Sequence, residues 1–154
     1  EWIDFPREGN GWSYRYACRQ WSLRDNRDLK YHWLADFDRA MLRLAKEHEV
    51  LEAGRPAHRY SDDEHNIAVW SRGDLLFLFN FHPVESRVDY AVPVPPGEYH
   101  LVLDTDREEF GGPQRLTAEQ AFFSEPPQKE GQGDAIKVYL PARCAMVLRS
   151  EALV

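Results

Sequence analysis

The side chains with the most chemical promise crowd the front of the chain, where Trp2, Asp4, Phe5, Arg7, Asn10, Trp12 and Tyr14 fall within residues 2–14. Aromatic faces pack on the C–H faces of a pyranose while Asp, Asn and Arg bond its hydroxyls, so this density fits a neutral sugar. The same aromatics equally serve to wedge a loop onto a further domain, and the residues taken alone favour that packing role. A second candidate is Asp104-Thr105-Asp106-Arg107-Glu108-Glu109, where oxygens alternate as in a calcium loop. Glu109 stands at the sixth position, where an EF-hand requires glycine, so the expectation is an acidic, solvated loop. Glycoside hydrolysis needs two carboxylates at a defined separation, and Asp104 and Asp106 would fall on one side if the strand continued through them, though spacing in sequence does not supply that separation. Asp36 and Asp38, two apart on a helix, do not face each other.

Other chemistries lack their residues. There is no Gly-x-Ser-x-Gly elbow, Gly9-Asn10-Gly11 lacks the third glycine of a dinucleotide fingerprint, and no Walker sequence occurs. The six histidines are scattered, and His58 with His65 has no neighbouring Cys ligands, so neither a metal nor any other cofactor is expected. With 26 acidic against 19 basic residues the formal charge is -7, which repels phosphate backbones and anionic membranes, so nucleic acid and membrane partners are excluded. No apolar run is long enough to span a bilayer. Cys18 and Cys144 allow one intrachain bridge at most, and two unpaired thiols in a reducing compartment are expected.

These candidates need elements to hold them. A chain of 154 residues with 43% hydrophobic side chains builds one domain, or one domain and an appendage. Residues 1–21 show neither strand nor helix period and read as a loop with anchors. Asp25, Asn26 and Asp28 then open a helix over about residues 26–51, with Leu29, Trp33, Phe37, Ala40, Met41, Leu44 and Leu51 on one face and Arg27, Lys30, Asp36, Arg39, Arg43 and Glu47 opposite. That stripe must dock on something, and no partner for it stands out in the chain. Gly54, Arg55 and Pro56 close the helix and mark a domain boundary. Beyond it come short strands at 67–71, 75–81, 88–94, 99–104, 136–140 and 145–149, separated by turn signals such as Arg72-Gly73-Asp74 and Pro95-Pro96-Gly97. The fold class expected is therefore mainly β, an antiparallel sandwich, with Phe77, Phe79, Leu101 and Val138 in its core and residues 105–134 as a long irregular excursion. Tyr99, Leu101 and Leu103 alternate with His100, Val102 and Asp104, as in a strand with one wetter face.

Read as blocks, the chain acquires a likeness. Glu1-Trp2-Ile3-Asp4-Phe5-Pro6-Arg7-Glu8-Gly9-Asn10-Gly11-Trp12-Ser13-Tyr14, followed by Arg19-Gln20-Trp21-Ser22-Leu23, closely resembles the end of the catalytic barrel in 1,4-α-glucan branching enzymes of eukaryotes and some bacteria. The resemblance continues through 37–41, then Leu75-Leu76-Phe77-Leu78-Phe79-Asn80-Phe81-His82-Pro83, Leu103-Asp104-Thr105-Asp106, Glu109-Phe110-Gly111-Gly112 and Val138-Tyr139-Leu140-Pro141-Ala142-Arg143. The blocks run in order over nearly the whole chain.

The resemblance implies a piece of an α-amylase-superfamily enzyme that cuts an α-1,4-glucan and rejoins the cut end as an α-1,6 branch by double displacement. Residues 1–54 would be the last loop and last helix of its (β/α)8 barrel, and residues 55–154 its C-terminal all-β domain. Glu1 as first residue, with Met41 and Met146 as the only methionines, agrees with a chain that is part of something longer. The family's catalytic Asp, Glu and Asp would lie upstream of Glu1, so no catalytic residue is expected here and the chain alone should be inactive. The partners implied are an α-glucan (glycogen, amylose or amylopectin) and the barrel of the same polypeptide. Glucan contact is assigned to Trp2 and Trp12 as platforms, Asp4 as hydroxyl acceptor and Arg7 as hydroxyl donor. The compartment implied is the cytoplasm, or the plastid for a plant source. A free-standing glucan-binding β-sandwich without catalytic activity is the competing expectation.

Overall fold

The computed structural model describes residues 4–127 and 133–153. Two helices come first, α1 (Trp21–Asp25) and α2 (Tyr31–Glu47), followed by eight strands: β1 (Ala57–Asp62), β2 (Ile67–Arg72), β3 (Leu75–Asn80), β4 (Arg87–Pro93), β5 (Glu98–Asp104), β6 (Ala121–Phe123), β7 (Ala135–Leu140) and β8 (Cys144–Arg149). Strands β1-β2-β3-β8-β5-β6 form one antiparallel sheet in that order, and β4 pairs with β7 as a separate antiparallel ribbon. The expected β class and antiparallel sandwich are thus what the chain adopts. Strand β1 went unseen in the sequence because Ala-His-Arg-Tyr-Ser-Asp is polar, which suits an edge strand. Strand β6 lies inside the stretch expected to be irregular.

The ribbon covers one face of the large sheet. Between them sit Val69, Leu78, Val92, Leu101, Val138 and Met146, all buried, and burial of aliphatic surface at this interface supplies the main stabilisation. At one side of the sandwich Tyr90 on β4 donates to Asp62 on β1 at 2.7 Å, and His65 Nδ1 lies 2.6 Å from the same carboxylate. Hydrogen bonds from Tyr90 and His65 hold the Asp62 carboxyl down to about 2, while burial pushes the Tyr90 phenol up.

The other face of the sheet carries α2. Phe37, Ala40 and Leu44 pack on Leu75, Phe77, Leu103 and Val147, so this part of the apolar stripe has its partner inside this chain, while Met41 and Leu51 stay exposed. That corrects the expectation of an unpartnered stripe at those three positions, and with it the place of Phe77, which faces the helix and not the inter-sheet core. Phe79 is half-buried and stacks on Phe81, with ring centroids 5.6 Å apart. The helix is shorter than expected at both ends. Asn26 Oδ1 accepts from the Asp28 amide at 3.0 Å and the Asn26 carbonyl from Leu29 at 3.2 Å, so residues 26–30 spend their bonds on turns. At the far end Glu49 adopts φ 46° and the chain coils into a turn. Arg72 bonds the carbonyls of Leu51, Ala53 and Gly54, and His48 Nδ1 meets Asp74 Oδ2 at 2.8 Å, which ties this turn to the β2–β3 hairpin.

One irregularity positions the loops. The β5–β8 register slips between Leu101 and Leu103, a bulge that sends Leu101 into the inter-sheet core and Leu103 toward α2. The simple alternation expected along β5 therefore breaks at Val102, and Asp104 turns inward.

Candidate functional site

Two groups of residues singled out by the sequence gather in space. The first is the N-terminal loop. Arg7 grips Asp4 with two parallel hydrogen bonds, Nε to Oδ1 at 3.0 Å and Nη2 to Oδ2 at 3.1 Å, and Asn10 Nδ2 adds a third to Oδ2 at 3.2 Å. The Arg7 guanidinium beside Asp4 lowers the acid's pKa and is itself raised. Asn10 also returns to the backbone, accepting from the Arg7 amide at 2.9 Å. Gly11 at φ 64° and Trp12 at φ 58° then reverse the chain, with the Trp12 amide on the Arg7 carbonyl at 3.0 Å. The outcome is a self-bonded scaffold with its rings outward: Trp12 is 66% exposed, and Phe5 and Tyr14 are exposed as well. Asp4 and Arg7 are brought together and the Trp12 backbone is tied to them, whereas Trp2 lies outside the described residues.

The second group comes from blocks far apart in sequence. Pro83 and Val84, Thr105 and Asp106, Phe110 to Pro113, and Ala142 with Arg143 line one cleft of about 440 Å3 at an end of the sandwich. Its walls are made by side chains that bond backbone. Asn80 Nδ2 donates to the carbonyls of Glu85 and Leu140 and its Oδ1 accepts from the His82 amide, which fixes the turn bearing Pro83. Gly111 takes φ 78° and lies flat on the indole of Trp33, where a Cβ would come within 2.5 Å of the ring. Phe110 meets Phe37 edge to face at 5.4 Å. These contacts seat the 108–113 loop on α2.

Asp104 and Asp106 are each only 2% exposed, so the acidic loop is not solvated at those two positions as expected. All four of their oxygens are engaged. Asp104 accepts from the Asp106 amide at 3.0 Å and from Arg107 Nε at 3.1 Å, and Arg107 Nη2 reaches on to the bulged Val102 carbonyl at 3.0 Å. Asp106 accepts from the Arg115 amide on one oxygen and from its guanidinium on the other, at 3.0 Å from Nε. The Asp106 hydrogen bond raises the Arg115 pKa. Carboxylates so neutralised hold a turn together; they do not face across a bond to be cleaved. Arg107 and Arg115 are the residues the sequence reading missed, and their signal was faint, an Asp-x-Asp followed by single arginines at separated positions.

No group of three or more His, Cys, Asp or Glu among the described residues could hold a metal ion. Cys144 is buried, and burial pushes its thiol up to about 11, while Cys18 is exposed; the two are not bonded to each other. No helix among the described residues is long and apolar enough to cross a membrane.

The folded sandwich agrees with what comparison finds. Residues 59–151 match the model of the alpha amylase C-terminal all-beta domain, and the chain belongs to that family. Over almost its whole length it is also similar to curated 1,4-alpha-glucan-branching enzymes. It is 39% identical to that of Rhizophagus irregularis over 96% of this chain and 22% of the enzyme, and 41% identical to that of Saccharomyces cerevisiae over 96% and 21%. The chain therefore spans about a fifth of the length of these relatives. A solved cyclomaltodextrin glucanotransferase with a three-domain ABC distribution aligns with a TM-score of 0.48 at 14% identity, over 97% of this chain and 27% of its own. The resemblance to branching enzymes drawn from the residues is borne out.

Proposed function

We propose that this chain is the C-terminal part of a 1,4-α-glucan branching enzyme and serves the stability of its catalytic barrel and the placement of its α-glucan substrate. The observation that carries this reading is identity near 40% across both the N-terminal loop and the β-domain. In this reading residues 1–54 complete the barrel and 55–154 form the all-β domain, a division supported by the family match beginning at residue 59. The catalytic Asp, Glu and Asp lie in the rest of the enzyme, so the chain alone neither cleaves nor transfers glucan. Trp12 offers a platform, with Asp4 and Arg7 fixing the loop that carries it and bonding hydroxyls; Trp2 is assigned the same platform role. The reducing cytoplasm, or a plastid, is the compartment that fits two free thiols.

The purified chain should give no change in iodine stain or reducing ends with amylose, and turnover by it would sink the reading of an inert fragment. In a native gel containing glycogen it should be retarded, but not in one containing dextran. Replacing Trp12 with Ala should weaken that retardation while leaving the melting temperature unchanged, because the indole is exposed. One observation favours a second reading. Phe37, Ala40 and Leu44 are already covered by this chain's own sheet, so a free-standing glucan-binding module is physically tenable. A monomer that resists proteolysis ahead of residue 55 supports that alternative.

A further inference from the structure

The helix-bearing face of the six-stranded sheet is only partly covered. α2 lies over Leu75, Phe77 and Val147. In the row of the sheet that contains Leu75, pairing places Arg149, His100 and Ala121 side by side across β8, β5 and β6. Two residues along, Glu98 pairs directly with Phe123 of β6, and directly paired residues of an antiparallel sheet point to the same face. Glu98, His100, Arg149 and Glu151 line an open groove of about 510 Å3, a size within the range of roughly 300–1,000 Å3 seen for ligand sites.

The groove is held in shape from below. Ser124 Oγ accepts from the Gly97 amide at 2.8 Å, fixing β6 against the start of β5. The turn at Glu151–Leu153 sits so close that a Cβ on Gly97 would come within 2.8 Å of the Ala152 methyl. At the edge stands Phe123, 64% exposed on a three-residue strand. Packing among the described residues leaves this phenyl face open to solvent. The polar groups are two carboxylates, a guanidinium and an imidazole, and His100 Nε2 lies 3.2 Å from Glu98 Oε1. Each of these groups bonds a hydroxyl, as donor or as acceptor.

We infer that this groove is a carbohydrate subsite separate from the N-terminal loop, taking a short run of neutral α-glucan with one ring on Phe123 and its hydroxyls shared among Glu98, His100 and Arg149. The identity of the sugar rests on the branching-enzyme reading above; the place rests on the groove. The 154-residue chain is titrated with maltoheptaose by calorimetry and by amide NMR. Amides of residues 97–100, 121–124 and 149–152 should shift, and Phe123→Ala and Arg149→Gln should each weaken binding about five- to tenfold. Should Phe123→Ala unfold the short strand, as circular dichroism would reveal, Arg149→Gln provides the readout alone. Binding whose shifts are confined to residues 4–21, and which neither variant weakens, overturns the subsite and leaves the glucan reading standing. An absence of heat and of shifts with the unaltered chain overturns both.

Discussion

At the scale of single residues, the acids that looked catalytic are structural. Removing the charge of Asp106 while keeping its shape (Asp106→Asn) leaves the Arg115 guanidinium facing a neutral amide in a closed turn. The expected cost is about 2–3 kcal/mol, the lower side of a broken buried pair because Arg115 is partly solvated, read as a lower urea midpoint. Asp62 gives a prediction in pH. Its carboxyl titrates at about 2 when folded, below the roughly 3.9 of an unfolded chain, so the unfolded state binds protons first. The stabilisation is therefore complete above about pH 5 and is lost as pH falls toward 2. Tyr90→Phe removes the largest contributor, so the variant should be less stable at pH 7 and lose less on acidification between pH 5 and 2.5. Equal acid slopes for the two proteins would contradict this assignment. The sequence showed Asp104 and Asp106 plainly and their partners Arg107 and Arg115 only faintly, because the Arg107 bond needs the β5 bulge to turn Asp104 inward and the Arg115 bond needs the loop after Asp106 to close.

At the scale of elements, α2 links the two parts of the chain. Its period was legible, and the stripe of Phe37, Ala40 and Leu44 was identified before any partner was known. Its ends were not legible, because the Asn26 turn and the Glu49 reversal are settled by local side-chain and backbone bonds that compete with helix. Phe37→Ala should loosen the seat on Leu103, Val147 and Phe110 by about 2 kcal/mol, scaled down from a fully buried ring. The expected readout is faster proteolysis ahead of residue 55 with little change in amide protection of β2, β3 and β8, since the sheet keeps its own core. Equal loss of protection across helix and sheet would mean that the two unfold as one unit.

At the scale of the whole molecule, α2 offers a second apolar surface. Leu34, Met41, Leu42 and Leu51 are exposed on it and on the turn that follows, in keeping with the proposal that a barrel belongs there. Mixed with its barrel-bearing counterpart, the chain should bury this surface and gain thermal stability, whereas alone it should remain catalytically inert. An unchanged melting temperature on mixing would count against the barrel as partner.

The sequence by itself determined the β class, the amphipathic helix, the aromatic front loop and the kinship, because each is written in local periodicity or in contiguous blocks. Tertiary structure alone decided that the helix docks on this chain's own sheet, that blocks from four separate stretches line one cleft, and that Phe123 stands paired with Glu98 beside the groove that Glu98, His100 and Arg149 line. The physical reason is the same in each case. Which faces meet depends on strand order and on a one-residue slip in register, and both are fixed by contacts between residues distant in the chain.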